Sequence, residues 1–160
     1  MSVIRHWVTV ALVCMIATTV ALAAAPKVAL HLQASLLTLR DGKTVSAPID
    51  RPLRAGDTVA YRIEARNTGS APAIGLAPVG KIPARTEFVR LLSSPAGSHV
   101  EYSLDGSRWS AHPTIRVVGR DGKPHVVPAP LSAYEAVRWT LATPLSAGAA
   151  ATFAYEARVK

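Results

Sequence analysis

Between Asp57 and Asn67 apolar and polar side chains alternate residue by residue: Val59, Tyr61, Ile63 and Ala65 fall on one side, and Thr58, Ala60, Arg62, Glu64 and Arg66 on the other. A period of two places each set on one face of a β-strand, whereas a helix would scatter both around its circumference. The C-terminal segment repeats the pattern, with Ala151, Phe153, Tyr155, Ala157 and Val159 set against Thr152, Ala154, Glu156, Arg158 and Lys160. Both segments therefore predict strands with one face on a core and one in water. Further strands are predicted over 28–39, 74–79, 86–92, 99–104, 114–118 and 136–141. In the last of these, Val137, Trp139 and Leu141 share a side, which makes Trp139 a core anchor rather than a ligand platform.

Turn residues punctuate these runs. Asp41-Gly42, Asp105-Gly106 and Asp121-Gly122 are hairpin dipeptides, because a tight two-residue turn needs positive φ, which Gly and Asp tolerate. Asn67-Thr68-Gly69-Ser70 marks another turn, with Asn67, the only Asn of the chain, closing it through its side chain. The stretch from Pro124 to Pro130 is expected to be an extended loop, since Pro cannot sit in a central strand. Pro52-Leu53-Arg54-Ala55-Gly56 and Pro144-Leu145-Ser146-Ala147-Gly148 precede the two alternating strands in parallel fashion. That match reads either as an internal duplication or as a recurrent way of feeding a half-buried strand from a Gly turn. Seven or eight short strands in one domain predict an all-β fold, an antiparallel sandwich of the immunoglobulin type.

The N-terminus follows another logic. Arg5 and His6 precede an uncharged, apolar stretch from Trp7 to Ala25 that ends in Ala21-Leu22-Ala23-Ala24-Ala25 before Pro26. A basic start, an apolar middle and small residues near a cleavage point describe a secretory signal-peptide helix over 1–23, with the mature domain at 24–160. The alternative is an uncleaved membrane anchor, the only membrane contact expected of the chain. Cys14 lies within the apolar run, so a cleaved chain keeps no Cys and with it no thiol catalysis or disulfide. Residues 24–160 carry 17 Lys and Arg against 10 Asp and Glu, a net charge of +7. The basic residues scatter without forming a run. They suit acidic polysaccharide or lipopolysaccharide phosphate, or simply the water-facing positions of strands. No nucleic-acid partner is expected.

The segment from Gly56-Asp57-Thr58-Val59 through Glu64-Ala65-Arg66-Asn67-Thr68-Gly69 resembles the signature strand and turn of the bacterial conserved repeat domain, known as domain of unknown function eleven. The likeness continues through Ile82-Pro83-Ala84, Thr86-Glu87-Phe88-Val89, Tyr102-Ser103-Leu104-Asp105-Gly106, Val137-Arg138-Trp139 and Leu145-Ser146-Ala147-Gly148, so it spans most of 28–160. Members commonly carry an Asp before the Pro-containing corner and a Gly after it, where this chain has Gly80 and Arg85. The resemblance implies an immunoglobulin-like module on an exported or cell-envelope protein, periplasmic or extracellular in a bacterium. It implies no catalytic residues.

Chemistry finds little support along the chain. His31, His99, His112 and His125 and many Ser are present, but no nucleophile-elbow pattern accompanies them. His99, His112 and His125 are spaced 13 residues apart, which is neither helix-face nor hairpin ligand spacing, although sheet folding can converge distant ligands. No cofactor is expected. The recognition candidates are Arg108 and Trp109, just after the Asp105-Gly106 turn, where Trp109 either stacks on a sugar ring or partner or covers the sheet end. Arg62 and Arg66, on one outward strand face, add an anionic contact or a solvated surface. The expected function is a non-enzymatic exported structural or interaction module with an envelope or secreted protein partner. The alternatives are a basic binder of acidic polysaccharide or lipid headgroups and, third, a hydrolase.

Overall fold

The computed structural model describes residues 24–160; the stretch 1–23, expected from the sequence to be a signal peptide and containing Cys14, lies outside the described residues. Ten strands follow in order: β1 (Val28–Arg40), β2 (Lys43–Ala47), β3 (Thr58–Asn67), β4 (Val79–Lys81), β5 (Thr86–Ser93), β6 (His99–Ser103), β7 (Thr114–Val118), β8 (Pro124–Pro128), β9 (Ala136–Thr140) and β10 (Ala150–Val159). A 3-10 turn, Leu131–Ala133, precedes β9. The described chain is thus all-β, and its strand pairs are antiparallel throughout. The strands form a five-stranded sheet in the order β2-β1-β3-β10-β5, a three-stranded sheet β4-β9-β6, and a separate two-stranded ribbon β7-β8.

The larger and smaller sheets pack face to face, an arrangement compatible with a β-sandwich. Trp139 of β9, fully buried, lies 5.6 Å from Phe153 of β10 between ring centroids, and Phe88 of β5 meets Tyr102 of β6 edge-on at 5.4 Å. Ile63, Ala65, Val137, Tyr155 and Ala157 complete the apolar layer. Aromatics pack edge-to-face or offset because each ring has a negative face and a positive rim. The indole N–H donates to Ser94 Oγ at 2.8 Å, so Trp139 is buried without an orphaned donor.

The two alternating segments are neighbours at the centre of the large sheet, paired from Ala150↔Arg66 to Arg158↔Thr58. Their Gly turns close on each other. Gly56, at φ 90°, donates its N–H to Val159 at the end of β10, and Gly148, at φ 77°, donates to Asn67 at the end of β3. Each turn thereby ends the partner strand's ladder, which gives the repeated Pro-Leu-x-Ala-Gly motif a structural purpose. Ala154 and Glu156, assigned to water by alternation, are buried because β10 is flanked by β3 and β5 on both sides. The Glu156 carboxylate meets Arg90 Nε at 2.8 Å.

Several boundaries differ from expectation. The strand expected over 74–79 shrinks to Val79–Lys81, because Gly75 adopts φ 67° and leaves Ile74 exposed. Pro124–Pro128 is not a loop but strand β8; it pairs only with β7, so each strand of the ribbon is an edge and Pro breaks no central ladder. With β2 added after the Asp41-Gly42 turn, the strands number ten rather than seven or eight. That turn has both central residues at positive φ, 50° and 73°, as a type I′ hairpin requires.

Candidate functional site

Two surface regions carry features beyond the core. The first surrounds Trp109. Asp105 Oδ1 accepts the backbone N–H groups of Ser107 and Arg108, both at 2.8 Å, and its other oxygen meets Arg108 Nε at 2.8 Å. These bonds favour the carboxylate and hold Asp105 well below its ordinary pKa, the backbone N–H of Arg108 contributing most. They rigidify the loop that presents Arg108, whose side chain is 91% exposed. Trp109 is half-buried, and the guanidinium of Arg138 lies 4.4 Å over its ring, held there by a 2.6 Å bond from Nη2 to Glu101. One aromatic face is therefore already occupied by a cation. A cleft of about 280 Å³ opens beside it, lined by Tyr102, Leu104, Arg108, Trp109, His112 and Pro113 among others.

The sequence-derived residues do not converge. Arg62 and Arg66 project from the outer face of β3 in the five-stranded sheet, whereas Trp109 stacks on Arg138 at the outer face of the three-stranded one. The two pairs thus occupy opposite outsides of the stacked sheets. Arg66 is partly neutralised by Glu64 at 3.4 Å and Arg108 by Asp105. The four His are equally dispersed: His31 pairs across from Glu64 in β1, His99 begins β6, His112 follows it in a loop, and His125 lies in the ribbon 3.1 Å from Asp121. Among the described residues no three His, Cys, Asp or Glu side chains gather in a metal-sized group.

The second region was not anticipated from the sequence. The inner face of β1 carries Leu30 opposite Ala65 and Leu32 opposite Ile63, in line with the core. Both remain on the surface, 60% and 62% exposed, because the three strands above cover β10 and β5 but stop at β4. The uncovered strip forms an apolar groove of about 490 Å³, floored by Leu30, Leu32, Tyr61 and Ile63 and walled by Val79, Gly80, Pro83 and Tyr155. Tyr61 and Tyr155 stack at its base, 5.1 Å apart. Burial raises the pKa of both phenols, Tyr155 the more, so both stay neutral, and the Tyr155 hydroxyl donates to the Lys81 carbonyl at 2.5 Å.

Gly80 permits this wall. A Cβ there would come within 2.6 Å of Tyr155 Cε1 and 3.3 Å of Trp139 Cζ3, so only Gly lets β4 approach the aromatic layer. Arg85, just past the corner, is held at φ 65°, the left-handed conformation that Gly adopts most easily. Gly80 thus forms part of the groove wall, and Arg85 lines the pocket that adjoins it. Alternation in the sequence showed which way Leu30 and Leu32 point; it carried no signal of how wide the opposing sheet is.

Compared with family models, with curated proteins and with solved structures, the chain shows no match.

Proposed function

We propose that residues 24–160 form an exported, non-enzymatic interaction module of the bacterial cell envelope, an immunoglobulin-like domain of the conserved-repeat type. The antiparallel pairing, the two stacked sheets and the buried Trp139 between them support the immunoglobulin-like reading. The observation that carries the interaction role is the apolar groove, where Leu30 and Leu32 lie open to solvent beside two aromatic rings. Contiguous exposed apolar surface with a polar surround marks an interaction site in a soluble domain. The partner is a protein, because the groove lining is apolar and the chain's cations are scattered and partly paired.

The test is capture from envelope and culture-medium fractions on immobilised wild-type protein and on Leu32→Asp. The expected result is a protein retained by the wild type through high salt and lost by the variant. Material retained equally by both would end the reading. The basic-surface alternative has one observation in its favour, the exposed Arg62, which has no acidic partner among the described residues. It predicts retention on heparin that collapses as salt screens the contacts.

A further inference from the structure

The groove has a second property besides its apolar lining. Along β4 and its flanks, Pro78, Gly80 and Ile82 make the backbone bonds to the β9 segment: Trp139 N–H to Pro78 at 3.1 Å, the register pair Gly80↔Val137, and Ile82 N–H to Glu135 at 2.8 Å. Alternation in an antiparallel pair then directs the N–H and C=O of Val79 and the N–H of Lys81 away from β9, along the open edge. Among the described residues none of these three groups has a partner; the Lys81 carbonyl alone is taken, by Tyr155. An unpaired strand edge is a template for another strand. Here that edge hangs directly over Leu30 and Leu32, and β1 itself is unpaired on its outer side before Leu36, where β2 begins to pair.

Charge marks one end of the groove. Lys81 and Pro83 also line an adjoining pocket of about 560 Å³ that holds Arg85 and Lys160, with Glu135 and Asp105 as its acids. Asp105 is already engaged by Arg108, so three cations face one free carboxylate.

We propose that the groove receives an extended segment of a partner protein, which adds as a fourth strand to the free edge of β4, lays alternate apolar side chains on Leu30, Leu32 and Tyr61, and sets a carboxylate among Lys81, Arg85 and Lys160. This deepens the reading of the domain as a protein-binding module and rests on it. Strand addition draws affinity from main-chain bonds and specificity from the pockets that alternate side chains enter. A strand beside β4 buries the exposed leucines, whereas one added to β1 would leave them uncovered. A second copy of this chain fits less well, since residues 24–160 of each copy bring a charge of +7 and their own basic end to the contact.

The experiment is selection from a displayed library of random twelve-residue peptides on the protein made from its full 1–160 sequence as the host processes it, counter-selected on Leu32→Asp. Selected peptides are expected to alternate apolar and polar residues and to end in an acidic one. Their binding should weaken at least about ten-fold in Leu32→Asp and in Val79→Pro, which removes an edge N–H, and about three-fold or more in Lys81→Glu. In the wild-type complex the Val79 and Lys81 amides should exchange at least about ten-fold more slowly, a readout that needs no variant to fold. The proposal is overturned by a selection that yields nothing beyond the Leu32→Asp background, or by peptides that bind Val79→Pro undiminished and leave both amides exchanging freely. A sedimenting dimer that Leu32→Asp dissolves would overturn it in favour of a second copy. An envelope partner lost by Leu32→Asp but kept by Val79→Pro would end strand addition while leaving the interaction module standing.

Discussion

Replacing Asn67 by Ala removes four hydrogen bonds at once, because the side chain accepts from Lys27 and Gly69 and donates to Ala71 and Leu145. It is fully buried, so no water replaces it. The Leu145 carbonyl keeps the Ala73 N–H, but the Gly69 N–H and the Ala71 carbonyl lose their partner, at about 1–3 kcal/mol apiece, and Asn67→Ala is expected to lose about 2–4 kcal/mol in urea unfolding. Asn67→Asp should fare no better, since a carboxylate cannot donate to the two carbonyls. That Asn67 closes a turn was legible from Asn-Thr-Gly; that it also ties β1 and the segment before β10 was not, because those contacts span 40 and 78 residues. At Gly80, substitution by Ala forces a Cβ against Tyr155 and should cost about 1–3 kcal/mol by overpacking, seen as a lowered melting temperature. The carboxylates set an acid limit. Asp57 is lowered to about 2, first by the Arg51 guanidinium and then by the Arg54 N–H. A carboxyl depressed on folding contributes stability above its unfolded value of about 4, and this is lost as pH falls towards 2. Thermal melts should thus hold steady from neutral pH down to about 5 and decline below about 4, with Asp57→Asn flattening part of that slope.

Among the elements, β3 and β10 were the most legible because strict alternation and flanking Gly turns coincide in them. In the ribbon, β7 was expected over 114–118 and is found there, whereas β8 was the least legible strand. The prolines of β8 argued for a loop, a rule that holds for central strands and lapses where both strands are edges. Most residues of the β7-β8 ribbon are exposed, Val118 and Val126 at 75% and 65%, and its base is tied by the Ala129 N–H to Pro113. An isolated two-stranded ribbon is marginal in stability. Native-state hydrogen exchange should therefore show ribbon amides opening well before those of β3 and β10, and equal protection across all three would contradict the layering described. Tyr61, which alternation placed with the core, sits half-buried at the groove, while Phe153 two registers away is sealed. Phe153→Ala is accordingly expected to cost about 3–5 kcal/mol. Tyr61→Asp, which an enclosed site would not tolerate, should lower stability less than Phe153→Asp.

At the scale of the whole molecule, the all-β class, the antiparallel pairing and the burial of Trp139 follow from residue patterns within single segments. The groove does not, because it arises from a mismatch between five strands and three, a property of how the sheets are laid together. The binding candidates chosen from sequence, Arg62, Arg66, Arg108 and Trp109, are divided between opposite outer faces, while the apolar strip lies between the sheets. Binding at the groove therefore depends on one structural feature, the open edge of the three-stranded sheet along β4. The most direct measurement is site-resolved amide exchange in the free protein at Val79, Gly80 and Lys81. Fast exchange at Val79 and Lys81 with slow exchange at Gly80, whose register partner is Val137, is the predicted result. Equal and strong protection at all three would mean that the edge is covered and that the groove is closed in solution.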